Sequence, residues 1–365
     1  MSMKSRSRFL SVFTMPLVLL PAITFAESYF PPGEGNWETT SAESANLDPE
    51  NIKGALEYAK SKSTSSLLII HNGRIVSENY WQVSGEGGQP SPRYERMHRG
   101  DTAEGHPIED VASVQKSIIS FLAGTAIGEG GLSLDESVTT YLGVGWSKAA
   151  EAQEKTVLIR HLMSMTTGLG NKLQYQVPAG TRWRYNTVAY SRMVPVLEKV
   201  FDASINDITS ARVAKPIGMA NTSWMERPWA RGSETANSVG LATTARDLGR
   251  FGILILSGGE WNGRPLLKKP DYLAESLSSS QIHNKAYGLL WWLNGKESSR
   301  SGAGDELRIG AMIPSAPDDM VGAYGALGRK VYIVPGMGLV VVRLGDGPGS
   351  AFNNAFWSLL LGKEH

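Results

Sequence analysis

The sequence predicts an α/β (more strictly α+β) fold. An antiparallel sheet is assembled from strands at both ends of the chain and flanked by helices, with a mainly helical domain inserted between. Three observations carry this. A β-hairpin pattern occupies 65–81. Two more strand-like runs occupy 330–334 and 339–344. The stretch between reads as helices joined by extended connections. The expected division is a sheet domain from 27–135 together with 285–365, and a helical domain from 136–284.

Each element has a local reason. Asp48-Pro49 has the form of an N-cap followed by Pro at the first helical position, opening a helix that runs to about Lys62. Leu67-Leu68-Ile69-Ile70 runs into Asn72-Gly73, a pair suited to the positive φ angles of a tight hairpin turn, and 74–80 returns. The segment 84–108 is rich in Gly, Pro and charge and is expected as a long loop. Asp110 is placed to cap a helix over 111–128. Its Ile118-Ile119 and Phe121-Leu122-Ala123 are apolar nearly all round, which marks a buried helix. Gly130-Gly131 ends it. Thr156 is expected to cap a helix over 157–165, and 189–200 and 245–256 are further helices. Strand character returns near 287–294, and an amphipathic helix over 351–361 closes the chain.

Composition narrows the function. The 365 residues are 41% hydrophobic, enough for a sizeable core. Lys+Arg 36 against Asp+Glu 35 leaves a formal charge of +1, so the electrostatic footprint of a nucleic-acid partner is missing. With no cysteine, disulfides, a thiolate nucleophile and Cys-ligated metal are excluded. The six histidines (71, 98, 106, 161, 283 and 365) lack ligand spacing, and His161 falls in a helix that reads as structural. Gly-x-Ser-x-Gly, a P-loop and Gly-x-Gly-x-x-Gly are all absent. No cofactor or metal is expected.

Lys4, Arg6 and Arg8 precede an apolar run over 9–25 that is interrupted by Pro16 and Pro21 and ends at Thr24-Phe25-Ala26. This pattern predicts a signal peptide over 1–26. The protein is then exported, periplasmic or secreted, with no stable membrane insertion after cleavage. An uncleaved anchor is the competing reading, and the two prolines count against it.

The chemistry centres on Ser113-Val114-Gln115-Lys116. Serine and lysine three apart share one helix face, so an amine comes within reach of a hydroxyl that needs a base to become nucleophilic. A lysine pressed against an apolar helix loses its proton more readily. The helix start adds backbone N–H groups for a developing oxyanion. The pattern alone is equally that of a solvated first turn.

Here the chain resembles the serine β-lactamase and penicillin-binding-protein superfamily. It is closest in style to class C β-lactamases and their esterase and 6-aminohexanoate-oligomer hydrolase relatives. Ala112-Ser113-Val114-Gln115-Lys116-Ser117 looks like the nucleophile helix and Gly128-Glu129-Gly130-Gly131 its exit. Ile159-Arg160-His161-Leu162-Met163 and Leu241-Ala242-Thr243-Thr244-Ala245-Arg246-Asp247 look like further characteristic stretches. Arg184-Tyr185-Asn186-Thr187 looks like the second motif, and Tyr287-Gly288-Leu289-Leu290-Trp291-Trp292 like a later strand.

The resemblance implies an acyl-enzyme mechanism on a β-lactamase/transpeptidase-like fold. Ser113 would be the nucleophile, and Lys116 would orient and activate it. Tyr185 would be general base and acid, either as a phenolate or through the lysine. Asn186 and Thr187 would contact substrate. The third motif would be Ala323-Tyr324-Gly325, with Gly325 at the oxyanion site and the Ala326 N–H as second donor beside Ser113. Two positions depart from the pattern. Thr187 replaces the asparagine of Tyr-x-Asn, and Ala323 replaces a cation that would help bind a carboxylate.

The expected function is therefore an exported serine hydrolase acting on a small-molecule or short oligomeric ester or amide. β-Lactamase or DD-peptidase activity is the first alternative. A non-catalytic wall- or peptide-binding protein that kept the fold is the second.

Overall fold

The computed structural model describes residues 29–84, 88–302 and 306–363, so the expected signal segment 1–26 lies outside the described residues. Strands β1 (Thr64–His71) and β2 (Arg74–Tyr80) form the expected hairpin. Asn72 and Gly73 turn it with φ of 46° and 86°. A side chain at position 73 would collide with the Tyr29 carbonyl, which reserves the place for glycine.

The sheet is completed by β3 (Trp292–Leu293), β4 (Val321–Tyr324), β5 (Lys330–Val334) and β6 (Leu339–Gly345). Its six strands lie in the order β2-β1-β6-β5-β4-β3, all antiparallel. The two ends of the chain thus meet in one sheet, with Leu68 opposite Val342 and Ile70 opposite Val340. The α+β fold expected from the sequence is the fold observed.

Alternation along these strands feeds two cores. Leu68, Ile70, Val331, Ile333, Val340 and Val342 face one side. Leu67, Ile69, Tyr332, Val334, Leu339 and Val341 face the other. Because both faces are covered, the central strands read as unbroken apolar runs rather than as alternating ones. Helices α1 (Pro49–Ser61) and α4 (Phe352–Leu361) supply Ile52, Ala55, Phe356 and Trp357 to the second core. Asp48 caps α1 by accepting from Glu50 N at 2.7 Å.

On the first side lie α2 (Gln115–Gly128) and α3 (Ala245–Leu256). Helix α3 belongs by sequence to the 136–284 segment, yet it packs directly on the sheet. Gly249 and Gly252 bring its backbone against Ile70, Leu68 and Val340.

The 84–108 segment is not a plain loop. It contains a helical turn, Pro92–Glu95, and the strands His98–Asp101 and Pro107–Asp110. These join Val239–Thr243 and Ser223–Glu226 in a second, four-stranded sheet. The pairing of Pro107–Asp110 with Val239–Thr243 ties the 27–135 segment to 136–284. Among the described residues no helix is long and apolar enough to cross a membrane.

Candidate active site

Ser113 sits in a 3-10 turn, Ala112–Val114, that leads directly into α2. Ala112 is held at φ 52°, a left-handed conformation costing about 1–2 kcal/mol in an L-residue. Its N–H donates to Asp110 Oδ1 at 3.0 Å. The next turn brings Lys116 round to the same face, and Lys116 Nζ lies 2.9 Å from Ser113 Oγ.

Helix α2 is buried from Gln115 through Ala126, and its lysine is buried with it at the inner wall of the cavity that Ser113 lines. Lys116 is 2% exposed. Its ammonium is walled by the rings of Tyr185 at 5.0 Å and Tyr190 at 4.4 Å. Burial, and secondarily the Arg227 guanidinium, hold its pKa well below the ordinary lysine range. An amine that is easily deprotonated beside a hydroxyl is a base in position.

Tyr185 comes from the segment between Met165 and the short helix Thr187–Tyr190, where Arg184 N donates to Met165 O at 2.8 Å. Its ring stacks on Trp292 at 5.8 Å and meets Tyr287 edge-on at 6.2 Å. Burial pushes its pKa up to about 12, while hydrogen bonding to Ser113 pulls the other way. The phenol is therefore neutral over the physiological range.

The remaining expected residues fare differently. Asn186 is buried and turned into the backbone of its own loop. Its amide donates to the Leu169 and Gly170 carbonyls, each at 3.0 Å, and its oxygen accepts from Ala189 N at 3.0 Å. It positions the loop as a helix cap and is not aimed at substrate, because every hydrogen-bonding group it has is already engaged. Thr187, the next residue, does line the cavity with Ser113 and Lys116.

At Gly325 a Cβ would lie 2.4 Å from Val111 O and 3.3 Å from Ser113 N, so the end of β4 presses on the turn that carries Ser113. The Gly325 N–H donates to Arg329 O at 2.8 Å and closes the local turn. Its contribution is close approach, while Ala326 beside it lines the cavity.

No cation returns at the third motif. Ala323 is buried. Arg329 pairs with Glu109 at 2.7 Å, both fully buried. Lys330 lies 4.0 Å over the Tyr324 ring, where burial lowers its pKa to about 7.

Several site residues escaped the sequence. Asp110, read as a helix cap, binds Arg227 through both carboxylate oxygens, with Nε at 2.6 Å and Nη2 at 2.7 Å. The cavity, about 320 Å³, is also lined by Arg93, Arg96, Trp229 and Asn237. Spacing carries no signal for a pair 117 residues apart in sequence. The segment read as a loop hid the two arginines.

A family model described as Beta-lactamase matches residues 54–361. The chain belongs to the beta-lactamase family. An uncharacterized protein of Alkalihalophilus pseudofirmus is 27% identical to it over 323 residues, covering 82% of this chain and 88% of that protein. Among solved structures, a candidate beta-lactamase from Bacteroides dorei superposes with TM-score 0.63 at 18% identity, covering 87% of this chain and 98% of its own. A candidate 6-aminohexanoate-dimer hydrolase from Bacillus anthracis gives TM-score 0.61 at 16% identity, covering 92% and 88%. These likenesses establish the beta-lactamase fold, and the family is one of hydrolases. Substrate follows from the site and not from the fold.

Proposed function

We propose that this beta-lactamase family member is an exported serine hydrolase that cleaves an ester or amide through an acyl-enzyme on Ser113. The 2.9 Å contact between a buried Lys116 amine and the Ser113 hydroxyl carries the reading. Neutral Lys116 takes the Ser113 proton as Oγ attacks the substrate carbonyl. The Ser113 and Ala326 N–H groups receive the oxyanion. The proton then passes by way of the Tyr185 phenol to the departing alkoxide or amine, and the carbonyl–leaving-group bond breaks. Water repeats the sequence on the acyl-enzyme and regenerates Ser113.

Ala323 in place of a cation, with Arg329 held by Glu109, supports esters and amides over β-lactams as substrates. The test is a panel of p-nitrophenyl esters and anilides, with nitrocefin beside it, run on wild type and Ser113→Ala. The expected result is ester or anilide turnover, a single fluorophosphonate adduct on Ser113, and loss of at least ~10³-fold in kcat in the variant. Activity retained by Ser113→Ala would place the nucleophile elsewhere. Rapid nitrocefin turnover would restore the lactam reading.

A further inference from the structure

The cavity that contains Ser113 is lined by four basic side chains, Arg93, Arg96, Lys116 and Arg227, and among the described residues by no Asp or Glu. Two of the four are engaged: Lys116 with Ser113, and Arg227 with both oxygens of Asp110. Arg93 and Arg96 are exposed, and neither has a carboxylate partner among the described residues.

Their placement is local in origin. Arg93 lies on the helical turn Pro92–Glu95 and Arg96 is its C-cap, still in right-handed helical conformation. Three residues apart, they share a face. The acid between them, Glu95, looks elsewhere and lines a separate cavity with Tyr80, Trp81 and His98. Arg99 adds a third guanidinium nearby. It donates to the Arg96 carbonyl at 2.5 Å and sits 5.2 Å over the ring of Trp229, which also lines the Ser113 cavity. Asp110 is buried behind Arg227. The Glu226–Arg231 ion pair lies outside the cavity lining. Among the described residues, Arg93 and Arg96 therefore present positive charge to this space with no carboxylate against it.

We propose that Arg93 and Arg96 form an anion subsite, so that the hydrolase takes substrates bearing a carboxylate a few atoms from the scissile carbonyl. This rests on the hydrolase reading above and narrows it. Arg93 and Arg96 lie on the segment before Ser113 and not on the strand that carries Ala323, so this subsite is a different one from the missing third-motif cation. A cavity of about 320 Å³ suits a compact acyl or leaving group with the anion at its far end. Two guanidiniums in fork geometry suit a carboxylate better than a single ammonium would.

The test uses a matched pair of esters with one scissile bond, mono-p-nitrophenyl glutarate and its methyl-capped diester. At low ionic strength the wild-type kcat/KM ratio, acid over capped, is expected to be about tenfold, and to shrink in about 0.5 M NaCl. In Arg93→Ala/Arg96→Ala the ratio is expected to collapse to about one, and Arg93→Lys/Arg96→Lys to retain part of it. A wild-type ratio at or below one, or a ratio unchanged in the alanine pair, overturns the subsite.

Binding of both esters to Ser113→Ala by calorimetry separates this proposal from the hydrolase reading. If wild type cleaves neither ester and none of the esters and anilides of the panel above, the hydrolase reading falls. The subsite then stands if the acid ester binds Ser113→Ala more tightly than the capped one and loses that margin when Arg93→Ala/Arg96→Ala is added. Equal binding of the two esters overturns it.

Discussion

Lys116 is where function and stability oppose one another. An amine buried against Tyr185 and Tyr190 loses hydration that the unfolded chain restores. Lys116→Met would keep the unbranched stem and place a thioether against two ring faces. It is expected to abolish ester turnover and to raise stability at neutral pH by about 1 kcal/mol or more, read from denaturant midpoints. The pH dependence has a definite sign. The unfolded chain keeps this lysine protonated up to its ordinary range, whereas the folded protein gives up the proton earlier, so acid favours unfolding. The gain in Lys116→Met should therefore be largest in acid and fade as pH approaches the ordinary lysine range. Over the same span the wild-type kcat/KM should rise with pH through the lowered Lys116 pKa. A variant that gains nothing, or gains most in alkali, would contradict a buried base. That Ser113, Lys116 and Tyr185 come together was legible because two lie one helical turn apart and the third sits in a recognisable motif. Asn186 misled because the residue type says nothing of direction. A buried asparagine beside a helix start is as well used capping the backbone as meeting a substrate.

At the scale of elements, glycine separates what packing requires from what it merely permits. Gly54 lies inside α1 with open space where a Cβ would be. Gly252 lies inside α3, where a Cβ would come 2.4 Å from Val340 Cγ1. Gly54→Ala is expected to stabilise by about 0.5–1 kcal/mol through helix propensity and a less flexible unfolded chain. Gly252→Ala is expected to cost about 1–3 kcal/mol, because α3 must lift from the sheet. Thermal unfolding of the two variants checks both. Equal shifts would mean that α3 does not bear on β6 as closely as observed. The helices α1, α3 and α4 and the strands β1, β2, β5 and β6 were readable because each carries a strong cap, a turn pair or a long apolar run. His98–Asp101 and Pro107–Asp110 were not, since four-residue strands rich in charge have no period to detect. The short helix Ile159–Met163 starts without Thr156. His161 Nδ1 accepts from Leu158 N at 3.1 Å instead, a job that gives that histidine a structural use.

Across the whole molecule, Asp110 and Arg227 join a strand of the second sheet to a turn far along the chain, and they do so directly behind Ser113. Both are buried, and Asp110 also holds Ala112 in its strained conformation. Removing one partner strands a charge, which typically costs about 3–5 kcal/mol, whereas removing both is often close to neutral. Asp110→Asn and Arg227→Met are each expected to lower the unfolding midpoint strongly, and the double variant to recover most of the loss. That non-additivity marks a directly coupled pair. The pair also tunes the site, since the Arg227 cation is one of the two causes that depress the Lys116 pKa. In Arg227→Met the cation is gone and the Asp110 carboxylate is unmasked, and both changes favour a protonated lysine. The rising limb of kcat/KM should accordingly move to higher pH in that variant. In Asp110→Asn, where the arginine is left uncompensated, it should move to lower pH. Opposite displacements from the two halves of one ion pair would show that a contact drawn from distant parts of the sequence sets the basicity of the amine beside Ser113. Limbs that stay in place in both variants would reduce the pair to a structural tie.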